Sequence, residues 1–509
     1  MATRSIHNED AVKGLLYQLR DAIRDKKMEE MSQIAVQLKL DSTPDATMQL
    51  VAASLFVAEA GGGAKLSQHD SLSMIMFLAS RDEKTYLKAA SRAVKDAAQA
   101  LASAPTHEPM VVSDELLSVL VAQLSGQDVE VASNASIVVI ICCRRLGEQF
   151  TQKAMVAIAE AWKKSLELIS TERQSATTIC IRCAAALVDI MCIQEAYMDF
   201  AVSIEATKML VTMMTDDSDP LLQMSVLDVV ETMATTEPVQ SSRARWLYSA
   251  DVLHPLLQMS GGQAGEYPDP ILGGPALRLL SKLCHLSRTD SSLFSSGGSE
   301  LLEGFHRALL NFDGRGELDR LALIDAISSF AAASPESLEL VLNDEAIRDS
   351  WMSLSVAQPK LKAAILHSVS MVMQPRNHVH NAPSNANRMR LFSCLGQTNN
   401  KDTSELLLSM ARSPIVEARL GAYDLMAAFA RNGTGAQVLL SHGGFYEFLT
   451  SREGEDTKDG KEAKYGIVQA VVESPARQLL ADNIVASLEK YLRQGPYFVQ
   501  TQRWDVMTE

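Results

Sequence analysis

The chain has 509 residues, 47% of them apolar and only 5% aromatic, and a formal net charge of -15. A surface of that sign repels phosphate backbones and sets nucleic acid aside as a partner. The apolar material is mostly Leu, Ala, Met and Val, with few alternating segments, so an all-α fold is expected rather than half-buried strands.

In chain order, residues 1–10 are polar and lack the apolar core of a signal peptide. Val12, Leu15, Leu16, Leu19 and Ile23 share one face of a first helix, and Met31, Ile34, Leu38 and Leu40 one face of a second. Asp41-Ser42-Thr43-Pro44 is a start signal, Gly61-Gly62-Gly63 a break, and residues 104–113 a connector. Uncharged apolar runs such as 135–143 fall far short of the roughly 20 residues needed to cross a bilayer. The chain is therefore expected to act away from membranes, in the cytoplasm, with the nucleus also open to it.

A repeat then sets in. Asp219-Pro220-Leu221-Leu222 and Asp269-Pro270-Ile271-Leu272 superimpose at an offset of fifty residues, and apolar residues follow both at helical spacing. The helix holding Val138 has counterparts at Leu187, Val226, Ala276, Leu323, Ile365 and Ala422, mostly about 40–57 residues apart, close to the period of HEAT and armadillo units. The expected fold is a HEAT/armadillo-like α-solenoid with a concave groove, running as one elongated body over 1–509. Residues 1–110 would form the N-terminal cap and first repeats, 111–440 the central repeats, and 441–509 the C-terminal capping helices and tail. Residues 260–269, 295–299 and 374–387 read as surface loops, and the charged stretch 452–462 as a mobile one.

At 100° per residue, Leu222, Val226, Val229 and Met233 face the core and Asp228 points away. The equivalent positions are Asp189, Arg278, Asp325, His367 and Asp424. Asp189, Asp228, Asp325 and Asp424 are thus the candidate partner-binding residues, an acidic row along the groove suited to a basic surface.

Catalytic constellations are missing from the sequence. Cys180 and Cys183 have CxxC spacing without a second pair, and the seven cysteines read as reduced, buried thiols. His378 and His380 have no third ligand nearby, and Gly61-Gly62-Gly63-Ala64-Lys65 lacks the ending of a phosphate loop. Asn134 and Asn432 begin glycosylation sequons that a cytosolic chain would leave unused. The reading is a non-enzymatic, monomeric binding protein that uses no cofactor or metal.

The C-terminal end is more particular. Gly443-Gly444-Phe445 with Tyr446 and Phe448, then Lys461-Glu462-Ala463-Lys464-Tyr465, then Tyr491-Leu492 and Gly495-Pro496-Tyr497-Phe498-Val499, follow one another in an order that resembles the 26S proteasome non-ATPase regulatory subunit 5 family. The likeness is close over roughly residues 405–500; this chain doubles the glycine before Phe445 and has Phe498 where the family has tyrosine. The resemblance implies a chaperone of proteasome assembly, binding an AAA-ATPase subunit of the regulatory-particle base and leaving before the mature particle forms. The competing reading is another HEAT/armadillo adaptor or scaffold. An importin-like version is disfavoured, because Trp162, Trp246, Trp351 and Trp504 are dispersed and lack ordered Asn partners.

Overall fold

The computed structural model describes residues 112–498, apart from 170–172, 240, 262–268, 287–297, 311, 355–357 and 375–383, together with the helix Thr85–Ser103 and a few residues nearer the N-terminus. Among the described residues the chain is helical, with no strand. The contacts divide it into two compact units, Met1–Arg243 and Ala244–Glu509. Boundaries expected near residues 110 and 440 lie inside these units.

In the first unit the helices are α1 (Thr85–Ser103), α2 (Asp114–Leu124), α3 (Val129–Leu146), α4 (Glu148–Leu168), α5 (Arg173–Met191), α6 (Glu195–Ser203), α7 (Ala206–Thr215) and α8 (Pro220–Thr235). Helix α1 packs on α3, α3 on α5, and α5 on α8, while the remaining helices pack against members of that row. Nearer the N-terminus, Leu16, Leu19, Ala22 and Ile34 are buried, in keeping with the two amphipathic faces expected there. The Gly61–Gly63 break, the Asp41–Pro44 signal and most of the 104–113 connector lie outside the described residues.

A short helix α9 (Ser241–Leu247) leads from the first unit into the second, followed by α10 (Ala250–Gly261), α11 (Gly273–Leu286), α12 (Gly298–Leu310), α13 (Glu317–Ala331), α14 (Pro335–Asn343), α15 (Glu345–Met352), α16 (Pro359–Met373), α17 (Asn385–Thr398), α18 (Thr403–Ala411), α19 (Val416–Ala430), α20 (Gly433–Ser441), α21 (Phe445–Thr450), α22 (Lys458–Glu473) and α23 (Asp482–Gln494). Here α11, α13, α16, α19 and α22 form a continuous inner row, each packed on the next. All seven repeat residues named from sequence, Val138 through Ala422, lie on inner helices and are buried.

Side-chain caps set the starts. Asp219 accepts from the Leu222 amide at 3.1 Å, and Pro220 opens α8 at a position whose amide would be unpaired in any case. Asp269 accepts from Ile271 and Leu272 in the same way, yet α11 begins only at Gly273. Pro275 explains the delay: without an N–H it cannot bond back to the Ile271 carbonyl, a bond open to the amide of its counterpart Ser225 in the second turn of α8. Two loops expected from composition end earlier than foreseen. Helix α12 starts at Gly298, and α17 at Asn385, where Ser384 caps the Asn387 amide at 3.1 Å. A serine flanked by Pro and Asn reads as loop by composition, whereas here it is a helix cap.

Helix α5 is long and apolar enough, by length and composition alone, to cross a bilayer, a span the run-length reading did not foresee. It is instead a core helix between α4 and α8, with Cys180, Cys183, Leu187, Ile190 and Met191 fully buried. Its Arg182 donates to the Gly126 carbonyl at 2.6 Å. The CxxC pair is therefore packing material, and burial pushes both of its thiols up to about 12. Asn134 is buried as well, donating to Ser91 at 3.1 Å, which removes that sequon from any modifying enzyme. All seven cysteines are free, and only Cys192 is part-exposed. Native protein should therefore release at most one equivalent from a thiol-specific chromogen within minutes, rising to seven in denaturant. Rapid reaction of several thiols in the native state would contradict this burial.

Candidate partner-binding surfaces

The inner helices share a burial signature that periodicity only half revealed. Five consecutive residues run buried, buried, open, buried, buried: Val226 to Val230 in α8, Ala276 to Leu280 in α11, Leu323 to Ile327 in α13, Ile365 to Val369 in α16, Ala422 to Met426 in α19 and Ile467 to Val471 in α22. A helix packed on both row neighbours and on its covering helices has one narrow open stripe left. The sequence-named positions lie on that stripe. Asp228, Asp325 and Asp424 are exposed, and Asp189 is half-buried. Burial raises the Asp189 carboxyl above its usual range, against the pull of Arg144.

In the second unit the stripe reads Arg278, Asp325, His367, Asp424 and, on α22, Gln469. Its charges are already engaged. Arg278 pairs with Asp319 at 3.2 Å, Ser281 donates to Asp325, and Lys360 pairs with Glu317 at 3.2 Å. His367 lies between two of the acids: its Nδ1 is 3.4 Å from Asp424, whose hydrogen bond, assisted by the field of Asp325, raises the imidazole pKa. Asp325 and Asp424 are thus separated along the row by a titratable cation, and Asp189 and Asp228 stand on neighbouring helices of the other unit.

A second site is built where the C-terminal motifs converge. The charged stretch 452–462 is a pinned strap rather than a mobile loop. Glu455 turns inward, with a side chain 3% exposed, onto Arg419 of α19 at 3.1 Å. Tyr423 donates to the same carboxylate at 3.0 Å, and the Thr457 hydroxyl at 2.6 Å. Burial alone would raise the Glu455 carboxyl, but the bonds from Thr457, Arg419 and Tyr423 outweigh it and hold the group below the usual carboxylate range. Thr457 in turn caps α22, which therefore starts at Lys458 inside the stretch expected to be loop. Gly460 makes room for this: a Cβ there would lie 2.2 Å from the Glu455 carboxyl carbon.

With the strap fixed, the motif residues close a cleft of about 680 Å³ lined by Arg452, Glu453, Glu455, Lys461, Lys464, Tyr491, Tyr497 and Phe498 among others. Arg452 spans its floor, donating to the carbonyls of Gly495 at 2.7 Å and Tyr491 at 3.0 Å, with its guanidinium 3.4 Å from the Tyr491 ring centroid. Lys464 donates to the Ser451 carbonyl at 2.7 Å and sits 4.6 Å from the Phe448 ring centre. Burial pulls its pKa down to about 8. Gly495, at φ 79, ends α23 in a conformation that favours glycine and turns Pro496, Tyr497 and Phe498 back along the cleft. Gly444, the second of the doubled pair, takes φ 83 at the start of α21.

Stacked helices with two candidate binding surfaces define an all-α helical-repeat chain, with no cluster of metal-ligating residues among those described. The chain belongs to the proteasome non-ATPase 26S subunit family, whose model matches residues 108–509. It is 28% identical over 101 residues to the 26S proteasome non-ATPase regulatory subunit 5 of Bos taurus and of Homo sapiens, and that stretch spans 20% of this chain and 20% of each relative. Among solved structures, an engineered protein aligns over 90% of this chain and 98% of its own at 13% identity, with a TM-score of 0.45.

Two expectations follow from this geometry. Arg419→Ala removes the counter-ion of the buried Glu455 carboxylate and should destabilise the second unit by about 3–5 kcal/mol in denaturant melts. Because the Glu455 pKa is depressed on folding, its contribution is complete at neutral pH and fades only as the pH falls below the usual carboxylate range. His367 should titrate above the ordinary histidine value in an NMR pH series, and Asp424→Asn should lower it. Since its pKa is raised on folding, the stabilisation it supplies is present at low pH and lost as the pH climbs through the folded value.

Proposed function

We propose that the chain is a non-catalytic chaperone for assembly of the 26S proteasome, binding an AAA-ATPase subunit of the regulatory-particle base and leaving before the mature particle forms. The carrying observation is the family match over residues 108–509, which takes in both candidate surfaces and every described inner helix from α3 onward. Relatives named as non-ATPase regulatory subunits support an association with the proteasome. The repeat fold and the family suggest a role without chemistry. A cytoplasmic location, with the nucleus also open, belongs to the same reading. The four aspartates would then meet basic groups on the partner.

Affinity capture of the tagged chain from cells tests this. The expected result is free ATPase subunits and base intermediates without the proteolytic core. Recovery of only mature proteasome, or of unrelated transport cargo, would support the adaptor reading instead. Joint reversal of Asp228 and Asp325 to Lys should lower recovery several-fold and flatten its dependence on salt. Unchanged recovery would remove the acidic positions from the interface.

A further inference from the structure

We infer that the C-terminal cleft is a receptor for an acidic peptide segment of a protein partner, one that brings carboxylates to Arg452, Lys461 and Lys464 and an apolar side chain to Tyr497 and Phe498. This deepens the proposed function, on which it rests for the identity of the partner. The argument starts from charge. The chain carries -15 overall, yet its cleft gathers three cations against Glu453 and Glu455. Glu455 is bonded to Arg419 and its field also reaches Lys464, while Glu453 is the other acidic lining group, so the cations outnumber the acids.

The cations are also short of counter-ions. Arg452 is satisfied by carbonyl and amide oxygens alone, from Gly495, Tyr491 and Gln494. Lys464 donates to the Ser451 carbonyl and lies over the Phe448 ring, with no carboxylate among the described residues in a salt bridge to it. Lys461 pairs with no carboxylate among the described residues. Carbonyl dipoles orient a cation without cancelling its charge, so a net positive field remains in a walled site, where water screens it least.

The rim supplies the second element. Tyr497 and Phe498 are 51% and 40% exposed, and they stand beside the cation-bearing floor: the Phe498 ring centre is 5.8 Å from the Arg452 guanidinium. Tyr497 is held in place through its hydroxyl, which donates to Glu462. Large aromatic groups fixed at the mouth of a charged cleft are suited to anchoring a peptide side chain. A long polyanion such as RNA is disfavoured, because its further phosphates would meet the acidic surface of the rest of the chain. A short acidic segment places only a few charges, all within the cleft.

The test uses full-length protein and a fluorescein-labelled peptide, Gly-Glu-Asp-Phe-Glu-Asp-Gly, read by anisotropy. The same peptide with every acid replaced by its amide, and a ten-nucleotide uridylate RNA, serve as comparisons. The expected result is binding of the acidic peptide that weakens as salt rises. Lys461→Glu should cost about tenfold in affinity, as should the joint change Tyr497→Ala and Phe498→Ala. Lys163→Glu, which alters net charge equally on the exposed face of α4, should cost nothing. Equal binding of the amide peptide, indifference to Lys461→Glu, or preference for RNA would overturn the inference. Capture of ATPase subunits is scored on the unaltered chain alone, so the proposed function stands or falls separately from the cleft.

Discussion

One packing constraint governs the described structure: an inner helix in each repeat must bury several sides at once. Its row neighbours occupy two sides and its covering helices a third, which leaves one position in five open, as at Asp228, Arg278 and Asp325. Each large aliphatic side chain removed from water in this way contributes about 1.5–3 kcal/mol before entropy is counted. The constraint also explains the composition. Ala, Leu, Met and Val fit between closely spaced helices, and Ala422, Ala428 and Ala430 are all buried in α19, the helix with neighbours on most sides. Large aromatics are confined to a few sites, such as the fully buried Trp162 and Trp351.

The same constraint limits what the open stripe can do. Its charged positions act through charge and hydrogen bonding, while the same face also exposes Leu221 and Leu318. In the second unit those charges are held by neighbours, with Arg278 on Asp319 and Asp424 on His367. A partner meeting this stripe would displace existing pairs rather than fill empty ones. Exposed pairs of this kind are individually worth about 0–1 kcal/mol, so the exchange is cheap and reversible. Such exchange is what the proposed release from an assembly intermediate would need.

The fold was legible in the sequence because helical periodicity and the fifty-residue echo both report burial, which is what the stack demands. All seven inner-helix positions from Val138 to Ala422 were found that way. Helix starts were less legible. Pro275 shifts α11 three residues past its echo, and Ser384 looks like loop until its hydroxyl is seen to cap Asn387. The strap was misread for a physical reason. A run containing Glu453, Glu455, Asp456, Lys458 and Asp459 looks solvated, and only the packing shows that Glu455 alone turns inward to an arginine 36 residues earlier. The cleft was legible only as a set of family-like motifs, because nothing in the spacing of residues 461–465 and 491–498 says that they meet. His378 and His380 lie outside the described residues, as do the Gly61–Lys65 stretch and Trp504.

The strap joins the two surfaces in one physical account. Arg419 and Tyr423 belong to α19, the helix that also presents Asp424 on the open stripe, one residue beyond Tyr423. The side of α19 turned toward the strap fixes Glu455, and Glu455 fixes Thr457 and the start of α22. Helix α22 then carries Lys461 and Lys464 into the cleft and Gln469 onto the stripe. A buried ion pair seldom adds net stability over an apolar replacement, but it does discriminate between arrangements. Here it selects the one in which an acidic strap closes inward and leaves the cations of the cleft to carbonyl, amide and ring partners. Had Glu455 paired with Lys464 instead, one fewer cation would face the cleft. Its commitment to Arg419 gives an acidic protein a positively charged recess.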